Sequence, residues 1–311
     1  MGNSNNSNLN RSKVYKNDEF YTVISDIESE VYNYRDYFAG KSVYCNCDDP
    51  ATSKFWEFFH VHFSEFGITK LTSTFYSEDR NTYRFEYTGG NDSNITCGTR
   101  YDLYGNGDFR NTNCIKLLQD HDIIVTNPPF SLFHDYIEIL VYYKKSFLFL
   151  GNMNAVTYRD FFPLLNNGTV WFGVNSGEMS FTVPDSEKPR KTRFWIDDTG
   201  QKWRSIGNSC WFTNIDHNRH HELFTSTAKY DPTKYRMYDD GSALNVDHLE
   251  DIPMDYDLPM GVPITFLAKH NPDQFTILGL ANSSGYIGNF KCITRIDGEK
   301  VYNRVIIQKV K

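Results

Sequence analysis

A chain of 311 residues with 40% hydrophobic content is long enough to bury a sizeable core in one large domain or two moderate ones. No apolar run approaches the roughly 20 residues of a membrane-spanning helix, so the expectation is a protein with no membrane partner. The formal net charge of −7 excludes a uniformly basic nucleic-acid-binding surface but leaves room for a local one.

The charge is unevenly spread. From Asp231 to Asp257 eight acidic residues stand against Lys234 and Arg236, a net of −6. From Lys188 to Arg204 six basic residues stand against Asp197 and Asp198, a net of +4. The 24 Phe and 21 Tyr serve sheet cores first and base stacking second. Cys45, Cys47, Cys97, Cys114, Cys210 and Cys292 lack zinc-finger spacing, and no secretion signal is recognisable, which implies reduced thiols, a cytoplasmic setting and no metal.

In chain order, residues 1–13 are Asn/Ser-rich and aperiodic and read as a disordered tail. Ser25-Asp26-Ile27-Glu28 has the form of a capping box opening a helix with Ile27, Val31, Tyr34 and Phe38 on one face, stopped by Gly40. A strand over 42–45 follows, then a polar loop, with Asp49 expected as N-cap and Pro50 at the first position of a helix reaching Phe66. Strand, polar loop and helix N-terminus is how a sheet holds a cofactor at the carboxyl ends of its strands.

A second strand is predicted over 70–76, and a hairpin region over 83–111 with turns at Gly89-Gly90 and Gly105-Asn106-Gly107. Asp108 follows that last turn. It reads either as a turn residue or as a carboxylate receiving hydrogen bonds from a bound adenosine, with Phe109 beside the ring.

The run Asp122-Ile123-Ile124-Val125-Thr126-Asn127-Pro128-Pro129-Phe130 describes a buried strand delivering a rigid loop to a sheet edge. Read blandly, it is a strand and an Asn-Pro turn. Read chemically, it suits a planar amino group on a base, whose lone pair is delocalised into the ring. The Asn127 side-chain oxygen and the Pro128 carbonyl could accept its two N–H hydrogens. Pro128 and Pro129 stiffen the loop and remove competing N–H donors, and Phe130 offers a face for an extruded base.

Ser131 is expected to cap a helix over 132–145, and residues 146–150 form another buried strand. This alternation indicates a mostly parallel α/β sheet with helices on both faces. After about residue 165 short aromatic strands, 169–174 and 209–213, indicate a mixed β-rich region. There Lys188, Arg190, Lys191 and Arg193 occupy a loop or hairpin, as a solvated face or a phosphate-contacting one. The run from His217 to Glu222 lacks HExxH spacing and reads as an exposed turn opening a helix.

Taken together, the chain resembles the EcoRI-type adenine-specific DNA methyltransferase family from about Lys16 to its end. The resemblance rests on Asp18-Glu19-Phe20-Tyr21-Thr22, Val43 to Pro50, Gly105 to Arg110, Thr126 to Phe130, Asn175-Ser176-Gly177, Trp211 to Asn214 and Gly261 to Phe266. It implies a Rossmann-like, mostly parallel methyltransferase sheet: a tail over 1–13, an S-adenosylmethionine-binding catalytic domain over 14–165, and a target-recognition region over 166–311 packed on it. It also implies methyl transfer to the N6 amino nitrogen of an adenine flipped out of double-stranded DNA, in a restriction-modification or phage/host DNA-modification system, with a cognate restriction endonuclease as possible partner.

By that resemblance Phe20, Tyr21 and Thr22 lie against the methionine part of the cofactor. Tyr44, Cys45, Asn46, Cys47, Asp48 and Asp49 form the first cofactor loop, Asp108 and Phe109 hold its adenine, and Asn127 to Phe130 hold the target base. Many methyltransferases place glycines in the first loop, where this chain has Cys45, Asn46 and Cys47; the ribose-binding acid is undefined, with Glu78 and Asp79 nearest. Other readings stay open: cytosine N4, an RNA adenine or a protein glutamine as acceptor, or a catalytically inactive DNA-binding protein of methyltransferase fold.

Overall fold

A computed structural model describes residues 22–78, 82–183, 188–189 and 191–310. The expected tail over 1–13, together with Phe20, Tyr21, Asp79 and Arg190, lies outside the described residues. The chain divides into two compact units. The first comprises residues 1–152 and 175–215, the second residues 153–174 and 216–311. The expected boundary at 165/166 falls within the stretch 153–174, which clusters with the second unit.

The first unit is built on a sheet of nine strands among the described residues, of which β7 belongs to this unit only from residue 175 onward. These are β1 Ser42–Cys45, β2 Lys70–Ser73, β3 Tyr83–Tyr87, β4 Thr99–Asp102, β5 Ile123–Thr126, β6 Ser146–Asn152, β7 Trp171–Thr182, β8 Phe194–Ile196 and β9 Lys202–Thr213. Their order is β4-β3-β2-β1-β5-β6-β9-β7, with β8 paired to β9. β2, β1, β5 and β6 run parallel, and the flanking pairs β2–β3, β3–β4 and β6–β9 are antiparallel. The sheet is thus mixed around a parallel centre. Every residue of β1 and of β5 is buried, as parallel strands covered on both faces require.

Helices α1 Ile24–Val31, α2 Lys54–Val61, α3 Thr112–Gln119 and α4 Phe133–Tyr142 belong to this unit. Two expected starts are corrected. α1 has Val23 at its N-cap with no side-chain cap, so the capping box at Ser25 does not form. α2 begins at Lys54, where the Ser53 hydroxyl accepts hydrogen bonds from the N–H groups of Phe55 and Trp56. The Asp49 carboxylate instead accepts from the Ala51 N–H at 3.1 Å, which folds Asp49-Pro50 into a turn ahead of the helix. The helix expected from 132 starts at Phe133, after a 3₁₀ turn over Phe130–Leu132. α3 was not foreseen; Asn111 caps it by accepting from the Asn113 N–H.

The second unit contains the short helix α5 Phe162–Asn166 and a six-stranded sheet. Its strands are β10 Arg236–Met237, β11 Leu244–Asn245, β12 Met260–Pro263, β13 Phe275–Asn282, β14 Gly285–Gly288 and β17 Arg304–Lys309, in the order β10-β11-β12-β17-β13-β14. A separate ribbon pairs β15 Arg295–Ile296 with β16 Glu299–Lys300. Only β11–β12 is parallel in the six-stranded sheet. The run from His217 forms a 3₁₀ turn over Asn218–His221 rather than opening a helix. Among the described residues no helix is long and apolar enough to cross a membrane.

Candidate active site at the carboxyl edge of the parallel strands

β1 and β5 are parallel neighbours, with Val43 opposite Ile123 and Tyr44 opposite Ile124. The loops that follow them, 46–53 and 127–132, therefore emerge at the same edge of the sheet, where open α/β sheets bind ligands. Asp48 joins the two loops. Its carboxylate accepts hydrogen bonds from the hydroxyls of Ser53 (2.7 Å) and Thr126 and from the backbone N–H of Asn127. Its own N–H donates to the Thr74 carbonyl at 2.9 Å, and its carbonyl accepts from the Ser73 hydroxyl at 2.5 Å. Burial raises its pKa to about 6, against the pull of the three hydrogen bonds.

The other residues of the first loop divide by depth. Tyr44 and Cys45 are fully buried. The Tyr44 hydroxyl pairs with that of Thr74 at 2.7 Å, and the ring packs on His121; burial holds both the phenol and the Cys45 thiol in their neutral forms. Asn46 accepts a hydrogen bond from the Tyr136 hydroxyl at 2.8 Å. Asn46 and Cys47 line a cavity of about 90 Å³, together with Tyr76, Gly107, Asp108, Phe109, Arg110, Pro129 and Leu132.

That cavity brings together four stretches far apart in sequence: the loop after β1, the end of the β2 segment, the Gly-rich turn and the loop after β5. Gly107 is required there, because φ is +74° and a Cβ would lie 1.9 Å from the Phe75 carbonyl oxygen. Phe109 is buried edge-to-face against Tyr136 at 5.1 Å. The Asp108 carboxylate receives Nε of Arg110 at 3.0 Å, Nη2 at 2.7 Å and the Arg110 backbone N–H at 2.9 Å. Burial raises its pKa, but the Arg110 contacts outweigh that and hold it below the ordinary carboxylate range. Arg110 also donates to Asp135 at 2.7 Å.

Of the residues expected to touch a cofactor, Asn46, Cys47, Asp108 and Phe109 line this cavity, joined by Pro129 from the expected base-holding loop. Tyr44, Cys45, Asp48 and Asp49 do not line it. Asn127 is buried, and its Nδ2 donates toward the Thr22 hydroxyl over 3.4 Å. Thr22 is thus beside the Asn127 loop. Pro128 and Pro129 are buried and Phe130 is half-buried. Glu78 accepts from the Tyr76 hydroxyl at 2.7 Å.

Tyr76, Arg110 and Leu132 were missed as lining residues. For Arg110 a signal existed, a cation two residues after a candidate carboxylate; for Tyr76 the signal was an aromatic ring at the carboxyl end of a strand. In the basic run, Lys188, Lys191 and Arg193 are exposed. Arg193 takes φ of +55°, and its carbonyl accepts from the Ser205 N–H at 3.0 Å, which places it at the entrance of the β8–β9 hairpin. There Trp195 and Trp203 stack at 6.1 Å with planes 5° apart.

At about 90 Å³ the cavity is smaller than the roughly 300–1,000 Å³ of pockets that enclose a whole small molecule. Its lining suits one aromatic ring with polar edges: a carboxylate, a carboxamide and two aromatic side chains. An adenine moiety fits that description.

The chain matches the family described as "Adenine-specific methyltransferase EcoRI" over residues 8–309. It is 40% identical over 292 residues to the Type II methyltransferase M.EcoRI of Escherichia coli, covering 89% of this chain and 90% of the relative. It is 35% identical over 319 aligned positions to the Type II methyltransferases M.MgeORF184P of Mycoplasma genitalium and M.MpnI of Mycoplasma pneumoniae, covering 97% of this chain and 98% of each relative. No solved structure gives a significant match.

Proposed function

The chain belongs to the EcoRI family of adenine-specific methyltransferases, and from that membership we propose that it methylates the N6 amino group of an adenine flipped out of double-stranded DNA at a specific site. S-adenosylmethionine is the methyl donor, the setting is a cytoplasmic restriction-modification system, and a restriction endonuclease of the same specificity is the partner. The observation that carries this reading is the Asp48 bridge. Through Thr126 and the Asn127 N–H it ties the loop after β1 to the start of the Asn127-Pro128-Pro129-Phe130 loop, so the cofactor-side and base-side loops share one rigid support.

In this reading Asn46, Asp108 and Phe109 hold the adenine end of the cofactor, and Thr22 lies toward its methionine end. When bound, the cofactor supplies an electrophilic methyl group. The chain's own residues do the rest by position. The Asn127 side-chain oxygen and the Pro128 carbonyl accept the two amino hydrogens and draw the nitrogen lone pair out of the ring plane, toward the methyl. No residue needs to remove a proton beforehand, because the amino nitrogen becomes acidic once alkylated. Phe130 stacks on the extruded base, offsetting part of an unstacking cost of a few kcal/mol. Lys188, Arg190, Lys191 and Arg193 contact phosphates.

Asn127→Ala leaves the cofactor cavity intact and removes one acceptor for the amino group. Transfer of labelled methyl to DNA is expected to fall at least a thousandfold, while S-adenosylmethionine binding by calorimetry stays within about threefold. Methylation at more than a tenth of the wild-type rate would sink the assignment of Asn127. Running the same assay on RNA, protein and cytosine-only DNA separates the other acceptors.

A further inference from the structure

The strongest unassigned cluster is in the second unit, at Asp216, His220 and His221. The 3₁₀ turn over Asn218–His221 folds the chain back on Asp216. His221 Nε2 lies 2.9 and 3.0 Å from the two Asp216 carboxylate oxygens, and His220 Nδ1 lies 3.5 Å from Oδ1. One donor atom from each of the three residues lies within 4.8 Å of the others. We propose that Asp216, His220 and His221 form a binding site for a divalent transition-metal ion of the zinc class.

Donor chemistry selects the ion. Two imidazole nitrogens and one carboxylate suit Zn²⁺, Co²⁺ or Ni²⁺, whereas Mg²⁺ and Ca²⁺ take oxygen ligands. Tetrahedral coordination at about 2.0–2.2 Å puts neighbouring donors about 3.3–3.6 Å apart. The His220–Asp216 separation of 3.5 Å already meets that value, and the His221–Asp216 pair opens by about half an ångström to admit the ion.

The surroundings supply orientation and access. The His220 ring is stacked on Trp171 at 4.8 Å with planes 14° apart, so its ring plane is set before any ion arrives. Asp216 and His221 are exposed, which leaves an entry path from solvent. His220 also lines a cavity of about 420 Å³ in the same unit, with Trp171, His217 and His270. Three protein donors leave a coordination position for water or an exogenous ligand, so the site is open and exchangeable rather than closed and structural. The run from His217 to Glu222 did not contain the set by itself. Asp216, just outside it, supplies the third donor.

An imidazolium–carboxylate ion pair would give similar short contacts, but it responds oppositely to pH. Protonation strengthens the ion pair and expels a metal. The test uses the full chain without DNA or S-adenosylmethionine, with Co²⁺ as the optical probe and Zn²⁺ in calorimetry at pH 7.5. Expected are one equivalent of Zn²⁺, displacement of Co²⁺ visible absorption by Zn²⁺, and at least tenfold weaker binding below pH 5.5. His221→Ala, Asp216→Asn and His220→Ala should each weaken binding at least tenfold, and His248→Ala should leave it unchanged. Because His221 is exposed, its variant keeps the test valid even if His220→Ala misfolds. No bound equivalent, unchanged affinity in His221→Ala and Asp216→Asn, or an intense sulfur-to-cobalt band marking cysteine ligation would overturn the proposal.

Discussion

The loop after β1 and the Gly-rich turn before α3 both deliver a carboxylate to the same edge of the first unit, and they hold it in opposite ways. Asp48 is buried among neutral donors, and its pKa rises to about 6. Asp108 is paired to Arg110, and its pKa falls. A carboxylate held by hydroxyls and an amide N–H can serve as a structural bridge without a counter-ion. One clamped by a guanidinium stays charged on the cavity wall. Burial alone predicts the same behaviour for both; the partner chemistry separates them.

Removing the Asp48 carboxylate should break the comparison most severely. Asp48→Ala leaves the Ser53 and Thr126 hydroxyls and the Asn127 N–H without their acceptor, and buried donors stranded in this way cost about 1–3 kcal/mol each. We expect about 3–5 kcal/mol of lost stability in urea unfolding, together with loss of methyl transfer. A loss below about 1 kcal/mol would show that the bridge is not what holds the loops.

The pH dependence sharpens the same point. With its folded pKa raised from 3.8 to about 6, Asp48 binds more protons in the folded chain between those values. Its contribution to stability is therefore complete only well below pH 3.8 and is lost as pH rises through about 6. Relative to Asp48→Asn, which cannot titrate, the wild type should lose about 2 kcal/mol of unfolding free energy between pH 4 and pH 7. Parallel curves for the two proteins would place the Asp48 pKa in its ordinary range.

Much of this was legible in the sequence, for identifiable reasons. β1 and β5 were readable because strands buried on both faces are continuous apolar runs, and the meeting of their loops follows from the parallel neighbour rule. The α2 start was misread because Asp49-Pro50 and Ser53 are both sound helix openings four residues apart. Asp49 does make a cap-type contact, to the Ala51 N–H, and its carbonyl accepts from the Thr52 and Ser53 N–H groups, but that turn ends at Ser53 and the helix starts at Lys54. The return of residues 175–215 to the first unit had no local signal. The pairing of Leu148 with Thr213 and of Asn152 with Ser209 joins segments some 60 residues apart, and register at that separation is set by the assembled sheet. The Asp108 position was legible from its turn, and its clamp had a signal in the cation two residues on, but sequence spacing alone does not say that the Arg110 side chain turns back to Asp108.

A milder intervention acts on the other carboxylate. Arg110→Gln removes the clamp and leaves Asp108 half-buried without its cation, so its pKa should rise and its orientation at the cavity loosen. Arg110 is partly exposed, with side-chain accessibility of 43%, and the stability cost should be within about 1 kcal/mol. Cofactor affinity should fall roughly tenfold, equivalent to about 1.4 kcal/mol. Calorimetry separates the two readouts. Unchanged affinity would mean that Asp108 faces the cavity without taking part in binding.

The smallest effect isolates another residue on the cavity wall. Tyr76 contributes its ring to the lining, while its hydroxyl donates to exposed Glu78 at 2.7 Å. Exposed hydrogen bonds of this kind exchange readily with water and contribute at most about 1 kcal/mol. Tyr76→Phe keeps the ring and should leave cofactor affinity within about twofold, whereas Tyr76→Ala removes apolar surface and should weaken binding about fivefold to tenfold, the 1–1.5 kcal/mol typical of an aromatic contact. If Tyr76→Phe lost as much as Tyr76→Ala, the Tyr76–Glu78 pair would be the contributor in place of the ring.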